Sequence, residues 1–351
     1  MIAQIRHVLP LTTIHRERIL PIPGKVLVRK GQRVITTDTV AETRLTPEHL
    51  LLDVARGLRL YGDRADKAIQ CRPGDKVAEG DVLAGPAGLT KRTIRSPRNG
   101  RVILTGGGQI LIEVENPPFE LRAGYPGTVT ELLDDQGAII ESTGALIQGV
   151  WGNGRIDFGL LFVLANSPGE ILQSSQLDVS LRGSIALAGH CQNGEALKAA
   201  GDLPLRGLIL SSMDVSVVPV ALRMRYPIVL IEGFGHIPMN SAAYKLLSTN
   251  GQREVAINAE QWTPLTGVRP EIFIPLPAAD SLPRPPDTDE FSAGQQVHVF
   301  RAPYAGKIGK IVELLPGMNA LTNGLSTQAA LVEMESGETV LIPLANLEVL
   351  E

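Results

Sequence analysis

The chain has almost no cysteine. Cys71 and Cys191 stand far apart and without a metal-ligand spacing, which argues against a disulfide framework and a cysteine-built zinc site. It also lacks long apolar runs. No window of about 18 uninterrupted apolar residues occurs, and "MIAQIRHVLPLTTIHRERIL" has no apolar core of the length a signal peptide needs. Neither membrane spanning nor secretion is expected, and two reduced cysteines suit the cytoplasm. Aromatic residues make up only 4%, too few to build large aromatic cores or base-stacking platforms.

Glycine (36) and proline (25) are plentiful beside 44% hydrophobic residues, a balance that favours many short strands and tight turns over long helices. At 351 residues the chain exceeds one typical core, so a multidomain, mainly β protein is expected. Its charge is unevenly distributed. Residues 1–101 hold 19 Lys and Arg against 10 Asp and Glu, and the remainder holds 14 against 27. Such asymmetry predicts either an anionic partner for the first part or docking of the basic part on the acidic part.

"RKGQRVITTDTVA" (Arg29 to Ala41) and "RPGDKVAEGDVLA" (Arg72 to Ala84) align without a gap, 43 positions apart. In each, an Arg precedes a Gly turn, a Val follows (Val34, Val77), and an Asp (Asp38, Asp81) precedes a second apolar step. This pattern predicts two equivalent hairpins that bury their apolar faces together. Between them "LTPEHLLLDVARGLRLYG" offers Thr46 as an N-cap, Pro47 at the first helical position and a stripe of Leu50, Leu51, Val54, Ala55 and Leu58, predicting a helix over 46–60.

"LPIPGKVLV" before the first copy, "IRSPRNGRVIL" after the second and the Gly-x-Val turn of "YPGTVTEL" extend the match. With "GDVLAGPAGLTKRTIRSPRNGRV", this region resembles the barrel-sandwich hybrid fold of biotinyl and lipoyl carrier domains, over roughly 19–42 and 69–150. In lipoyl carriers the modified Lys follows an acidic residue at the hairpin tip. Here Thr90 precedes Lys91, the acidic neighbour is missing, and no cofactor is expected. The segment is rich in cations instead: Lys91, Arg92, Arg95, Arg98 and Arg101, with Arg29 and Lys30 at the first copy. They are candidates for anion or nucleic-acid contact. Without neighbouring aromatics, such contact would be to phosphates.

Gly149, Gly152 and Gly154 follow a GxxGxG order. An apolar strand-like run rather than a helix comes next, so they read as turn glycines. Over 183–259, "GSIALAGH", "RGLILSSM", "YPIVLIEGFG" and "REVAINA" alternate with helix-like segments, which predicts a small Rossmann-like parallel sheet covered on both faces. Ligands bind such sheets at the carboxyl ends of the strands. There the sequence offers His190, Cys191, Ser211, Ser212, Asp214, Glu232, Gly233, Gly235 and His236 as a candidate ligand site, with "EGFGHIP" able to hold an anion at a helix start. No metal site is expected.

"PLPAADSLPRPPDTDE" (275–290) carries five prolines and reads as a stiff linker. Beyond it, "GQQVHVFRAPYAGKIGKIVEL" and "ETVLIPLANLEVL" resemble a KOW-type SH3-like barrel, with Gly294, Val297, Gly306, Gly309 and Val312 at the family's turn and strand positions. The resemblance implies contacts to RNA or protein through Arg301, Lys307 and Lys310. Because residues 291–351 hold three cations against six acids, protein is the expected partner of this domain.

The expected organisation is therefore a barrel-sandwich hybrid-like β domain over 1–165, a Rossmann-like α/β domain over 166–274, the linker, and an SH3-like barrel over 291–351. The function it suggests is a non-enzymatic cytoplasmic binding or assembly protein, tied by the KOW resemblance to a transcription or ribosomal machine. Protein partners come first and nucleic-acid phosphates second. The alternative is an enzyme or small-molecule-binding protein with its site at the strand ends of the α/β domain.

Overall fold

In the computed structural model, residues 2–88, 91–263, 268–277, 285–286, 288–321 and 323–350 are described. The protein is mainly β, with 46% strand against 14% helix, as its turn-rich composition requires. No described helix is long and apolar enough to cross a membrane. Half of the proline-rich stretch, residues 278–284 and 287, lies outside the described residues, as does Thr90.

The chain divides into two compact units. The second comprises residues 20–26 and 41–121, and the first comprises the rest. In the second unit a four-stranded sheet runs in the order His49–Asp53, Gln109–Val114, Gly100–Gly106, Lys76–Val77. Its core holds Val54, Leu58, Leu83, Val102, Ile110 and Ile112. The stretch expected as one helix over 46–60 is instead strand His49–Asp53 followed by helix Val54–Leu58. Asp53, not Thr46, is the N-cap, its carboxylate accepting the Arg56 N–H at 2.8 Å. The apolar run Leu50–Leu52 satisfies a helical stripe and a strand alike, and the unbroken register with Gln109–Val114 decides for the strand.

The two copies of the repeat, expected to bury their apolar faces together, fall in different units, the first copy up to Val40 in the first unit and the second copy in the second, and share the same turn bonds. Gly31 N–H donates to Val129 O, and Gly74 N–H donates to Val102 O. Val34 and Arg33 pair with Gly127 and Thr128, as Val77 and Lys76 pair with Gly100 and Arg101. The Asp38 carboxylate accepts the Ile35 N–H and the Asp81 carboxylate the Ala78 N–H, at 2.9 and 2.8 Å. Each copy thus bonds to its own Gly-x-Val strand. Gly127 and Gly100 are required there, because a Cβ would strike the carbonyl oxygens of Glu141 and Glu113.

In the first unit, Ile156–Val163, Ile185–Leu187, Gly207–Met213 and Ile228–Phe234 pair in parallel. Alternate residues face opposite sides. Ile185, Leu187, Ile209, Val229 and Ile231 pack with Ala243 and Leu247 of helix Ser241–Thr249, while Ala186, Ala188, Leu208, Leu210 and Leu230 pack with Ala196, Leu197 and Ala200 of helix Gly194–Asp202. Both faces are covered, as continuous apolar strands require. The strand from "REVAINA", Glu254–Asn258, departs from expectation and joins antiparallel to Ile156–Val163. It leads through Glu271–Pro275 to the long strand Gly137–Gln148, which Val8–Ile19 also flanks.

A further sheet gathers Gln296–Val299, Ile308–Leu314, Ala329–Met334, Thr339–Pro343 and Leu347–Leu350. It takes in strand Ile2–Arg6, which runs parallel to Leu347–Leu350 and antiparallel to Thr288–Glu290.

Candidate functional site

The carboxyl ends of the parallel strands bring His190, Ser212, Asp214 and His236 together. His190 Nδ1 lies 3.0 Å from Ser212 Oγ, and Nε2 lies 3.5 Å from Asp214 Oδ1. The His236 ring is tilted over the His190 ring with centroids 4.6 Å apart, and its Nε2 is 3.1 Å from Gly169 O. Ser212 Oγ also donates to Ile237 O at 2.8 Å and accepts the Ile237 N–H at 3.1 Å. With the hydroxyl proton on that carbonyl, Ser212 Oγ is left as an acceptor toward His190 Nδ1, while Nε2 faces the Asp214 carboxylate. Burial and the neighbouring His236 outweigh Asp214 and hold the His190 pKa below the ordinary histidine value. The imidazole is thus set up to hold or release a proton beside a partly exposed carboxylate.

A nucleophile is not presented here. Ser211 and Ser212 are fully buried, and Ser212 Oγ is already saturated. Burial raises the Cys191 thiol to about 11, and its Sγ donates to Asn193 O. Gly233 and Gly235 hold the left-handed φ values of +113° and +94° that turn the chain after strand Ile228–Phe234.

Glu232 stands in a different setting. Its carboxylate accepts the Asn240 backbone N–H at 2.9 Å and the Asn240 side-chain amide at 2.7 Å, while Asn240 Oδ1 caps helix Ser241–Thr249 by accepting the Ala243 N–H. The anion position that "EGFGHIP" suggested at this helix start is occupied by the protein's own carboxylate.

From Glu232 a buried ionic cluster extends into the sheet of strands 296–350. Arg6 donates to Glu232 at 3.3 Å and to Ile231 O at 2.8 Å, and its Nε lies 3.3 Å from Glu348. The two ring nitrogens of His298 reach Glu232 at 2.7 Å and Glu348 at 3.1 Å. Arg269 lies 3.5 Å from Glu348, donates to Gln4 and stacks over Trp262. Burial opposes ionisation of both carboxylates, but Arg6 and His298 prevail and hold each near 2. For His298 the order reverses: burial and Arg6 push its pKa down, and the bonds to Glu232 and Glu348 raise it on balance.

A second buried cluster centres on Glu271. Arg16 donates to it in bidentate fashion at 2.9 and 2.7 Å, Gln148 at 2.8 Å and Tyr125 at 2.5 Å. Arg18 pairs with Glu260 at 2.8 Å. Arg6, Arg16 and Arg18, all from the basic first part, are therefore neutralised by carboxylates of the acidic remainder.

The other sequence candidates stay at the surface. Arg29 and Lys30 are exposed on the Gly31 turn of the first unit. Lys91, Arg95, Arg98 and Arg101 are exposed and Arg92 is half-buried, all in the second unit. Arg98 pairs with Glu48 at 3.1 Å, and Arg95 and Arg101 donate to the carbonyls of Gly80 and Gly74. Arg301 and Lys307 are exposed, the latter over the Tyr304 ring, and Lys310 lines an open depression of about 410 Å³ shared with Glu333 and Glu335.

The sequence reading missed Arg6, His298, Glu348 and Arg269. One signal was present: a charged or imidazole side chain inside an apolar strand run, as in "QVHVF", "NLEVL" and "LIEGF". Such a residue must find a partner when its strand is buried. No group of three or more metal-ligating side chains occurs among the described residues. No protein-family model matches the chain, and no curated protein matches it significantly.

Proposed function

We propose that this chain is a non-catalytic binding or assembly protein that meets an acidic protein surface through the exposed cations of its second unit. The observation that carries this reading is the division of the basic residues. Arg6 and Arg18 are buried and Arg16 half-buried against carboxylates, whereas Lys91, Arg92, Arg95 and Arg101 remain at or near the surface, paired with no carboxylate among the described residues. At the strand ends the polar groups are instead engaged by the fold. In this reading the second unit is a barrel-sandwich-like module, the parallel strands form a small Rossmann-like domain, and the strands of 296–350 form an SH3-like barrel. The KOW resemblance of that last part supports a place in a cytoplasmic transcription or ribosomal machine.

The test needs the full chain. A piece ending near residue 150 would strip Gly137–Gln148 of its neighbour Glu271–Pro275 and leave Arg16 and Arg18 without Glu271 and Glu260. Binding of poly-glutamate and of a generic single-stranded RNA should be measured across a salt series. The expected result is salt-dependent poly-glutamate binding that falls about tenfold in a Lys91→Glu, Arg92→Glu, Arg95→Glu variant whose circular dichroism is unchanged. Tighter binding of RNA would shift the reading to phosphates, and equal binding by variant and parent would refute it.

The second reading, a small ligand at the strand ends, is favoured by the stacked His190–His236 pair beside the partly exposed Asp214. It predicts that His236→Ala abolishes binding of that ligand and leaves poly-glutamate binding intact.

A further inference from the structure

Strand His49–Asp53 is the outer strand of the second unit's four-stranded sheet, with Gln109–Val114 as its inner neighbour. Edge strands of soluble proteins are usually shielded by lysine, proline, a bulge or a covering segment. This strand carries three leucines in its centre, and its register is unbroken across His49 to Asp53. Leu51 is 60% exposed, and the approach from Arg44 to Glu48 is exposed throughout.

One hydrogen bond fixes the direction of its peptide groups. Val114 N–H donates to Glu48 O at 2.8 Å, in the register that sets Glu113 opposite His49. Inward and outward peptide groups alternate along an antiparallel ladder. Leu50 and Leu52 therefore bond to the inner strand, and the backbone groups of His49 and Leu51 and the N–H of Asp53 point outward from the sheet edge, the Asp53 carbonyl opening helix Val54–Leu58. The side chains of these three are also exposed, on the solvent face, while Leu52 packs on the core from the other face.

His-Leu-Leu-Leu-Asp is complementary to itself when reversed. We propose that this strand pairs antiparallel with the same strand of a second copy of the chain, about a two-fold axis through Leu51. In that register Leu51 exchanges N–H···O bonds with its symmetry mate, and Leu50 faces Leu52 of the partner subunit. His49, which lies 3.8 Å from Glu113 of its own sheet, faces Asp53 of the partner subunit, whose carboxylate also caps helix Val54–Leu58, so an imidazole opposes a carboxylate at both ends of the paired strands. On the solvent face, Leu51, Leu111 and Leu104 already form a cross-strand row, with Leu104 62% exposed. Pairing joins this row to its mate and closes the open edge of the sheet.

Sedimentation equilibrium of the full chain should show reversible dimerisation. Leu51→Lys sets two ammonium groups face to face at the axis and should weaken the dimer at least about tenfold, with the fold kept because the position is exposed. Leu51→Cys tests the register directly. A hydrogen-bonded antiparallel pair places Cα atoms about 5.5 Å apart, within disulfide reach, so mild oxidation should cross-link Leu51→Cys into a covalent dimer. Leu104→Cys, two strands further in, should not cross-link. The native Cys71 and Cys191 set the background in the parent chain. A chain that stays monomeric, a dimer that Leu51→Lys leaves unchanged, or a dimer in which Leu51→Cys fails to cross-link would each overturn the proposal.

Discussion

Replacing Arg6 with methionine removes the cation that faces both Glu232 and Glu348 and keeps most of the side-chain volume. Arg6 is fully buried, and its guanidinium contacts both carboxylates at 3.3 Å and the Ile231 carbonyl at 2.8 Å. Its loss leaves two buried carboxylates sharing His298 and Arg269. Breaking a buried ion pair from one side costs about 3–5 kcal/mol, which for a cooperative unit of this size lowers the melting temperature by roughly 5–8 °C. Urea unfolding followed by the fluorescence of Trp151 and Trp262 reads the change. Adding Glu232→Gln and Glu348→Gln to Arg6→Met discharges the stranded carboxylates and should recover part of the loss, because a neutral cluster is less costly to bury than an incomplete ionic one. A single variant costing under about 1 kcal/mol, or a triple variant less stable than the single one, would refute the assignment of these charges as a mutually dependent set.

His298 gives the cluster a pH dependence of definite sign. Its folded pKa is raised above the ordinary histidine value, so its contribution is fully present below about 6.5 and is lost as pH rises through the folded value. Glu232 and Glu348, held near 2, contribute above the ordinary carboxylate pKa and lose that contribution as pH falls toward 2. Urea midpoints measured against pH should decline on both sides, and His298→Gln should remove the alkaline decline and also weaken the acid-side one, because His298 helps hold both carboxylates down. Gly100→Ala and Gly127→Ala should each cost about 1–3 kcal/mol in thermal or urea unfolding, since neighbouring carbonyls occupy the Cβ position. Gly169→Ala, with only Pro238 in ordinary contact, serves as the near-neutral control. In native protein at pH 8 a thiol reagent should label the half-buried Cys71 and spare the buried Cys191, with the second thiol appearing only on unfolding.

Local chemistry is what the sequence made legible. The repeat could be read because each copy carries its own instructions: a glycine for the turn, a valine for the core and an aspartate whose carboxylate caps the next turn. The parallel strands were visible as continuous apolar runs. The strand at His49–Asp53 was hidden because three consecutive leucines fit both periodicities, and tertiary pairing made the choice. The antiparallel entry of Glu254–Asn258 depends on where helix Ser241–Thr249 delivers the chain, which no local pattern encodes. Among the candidate residues, Glu232 was read as a ligand contact at a strand end, and its partner Arg6 lies 226 positions away. Nothing local relates the two. The same distance concealed that Arg6, Arg16 and Arg18 of the basic first part meet carboxylates of the acidic remainder inside one unit.

The parallel pairing of Ile5 and Arg6 with Val349 and Leu350 imposes an order on synthesis. A ribosome makes Arg6 hundreds of residues before Glu348, at about 5–20 residues per second. For that interval the first strand lacks its parallel neighbour Leu347–Leu350, and its guanidinium can meet Glu232 but not Glu348. The unit built from residues 20–26 and 41–121 has all its strands in hand early and can fold on the emerging chain. The larger unit must wait. Nascent chains halted before residue 347 should therefore contain a protease-resistant second unit, and loss of strand Leu347–Leu350 alone should leave strand Ile2–Arg6 without its parallel neighbour and Arg6 without Glu348.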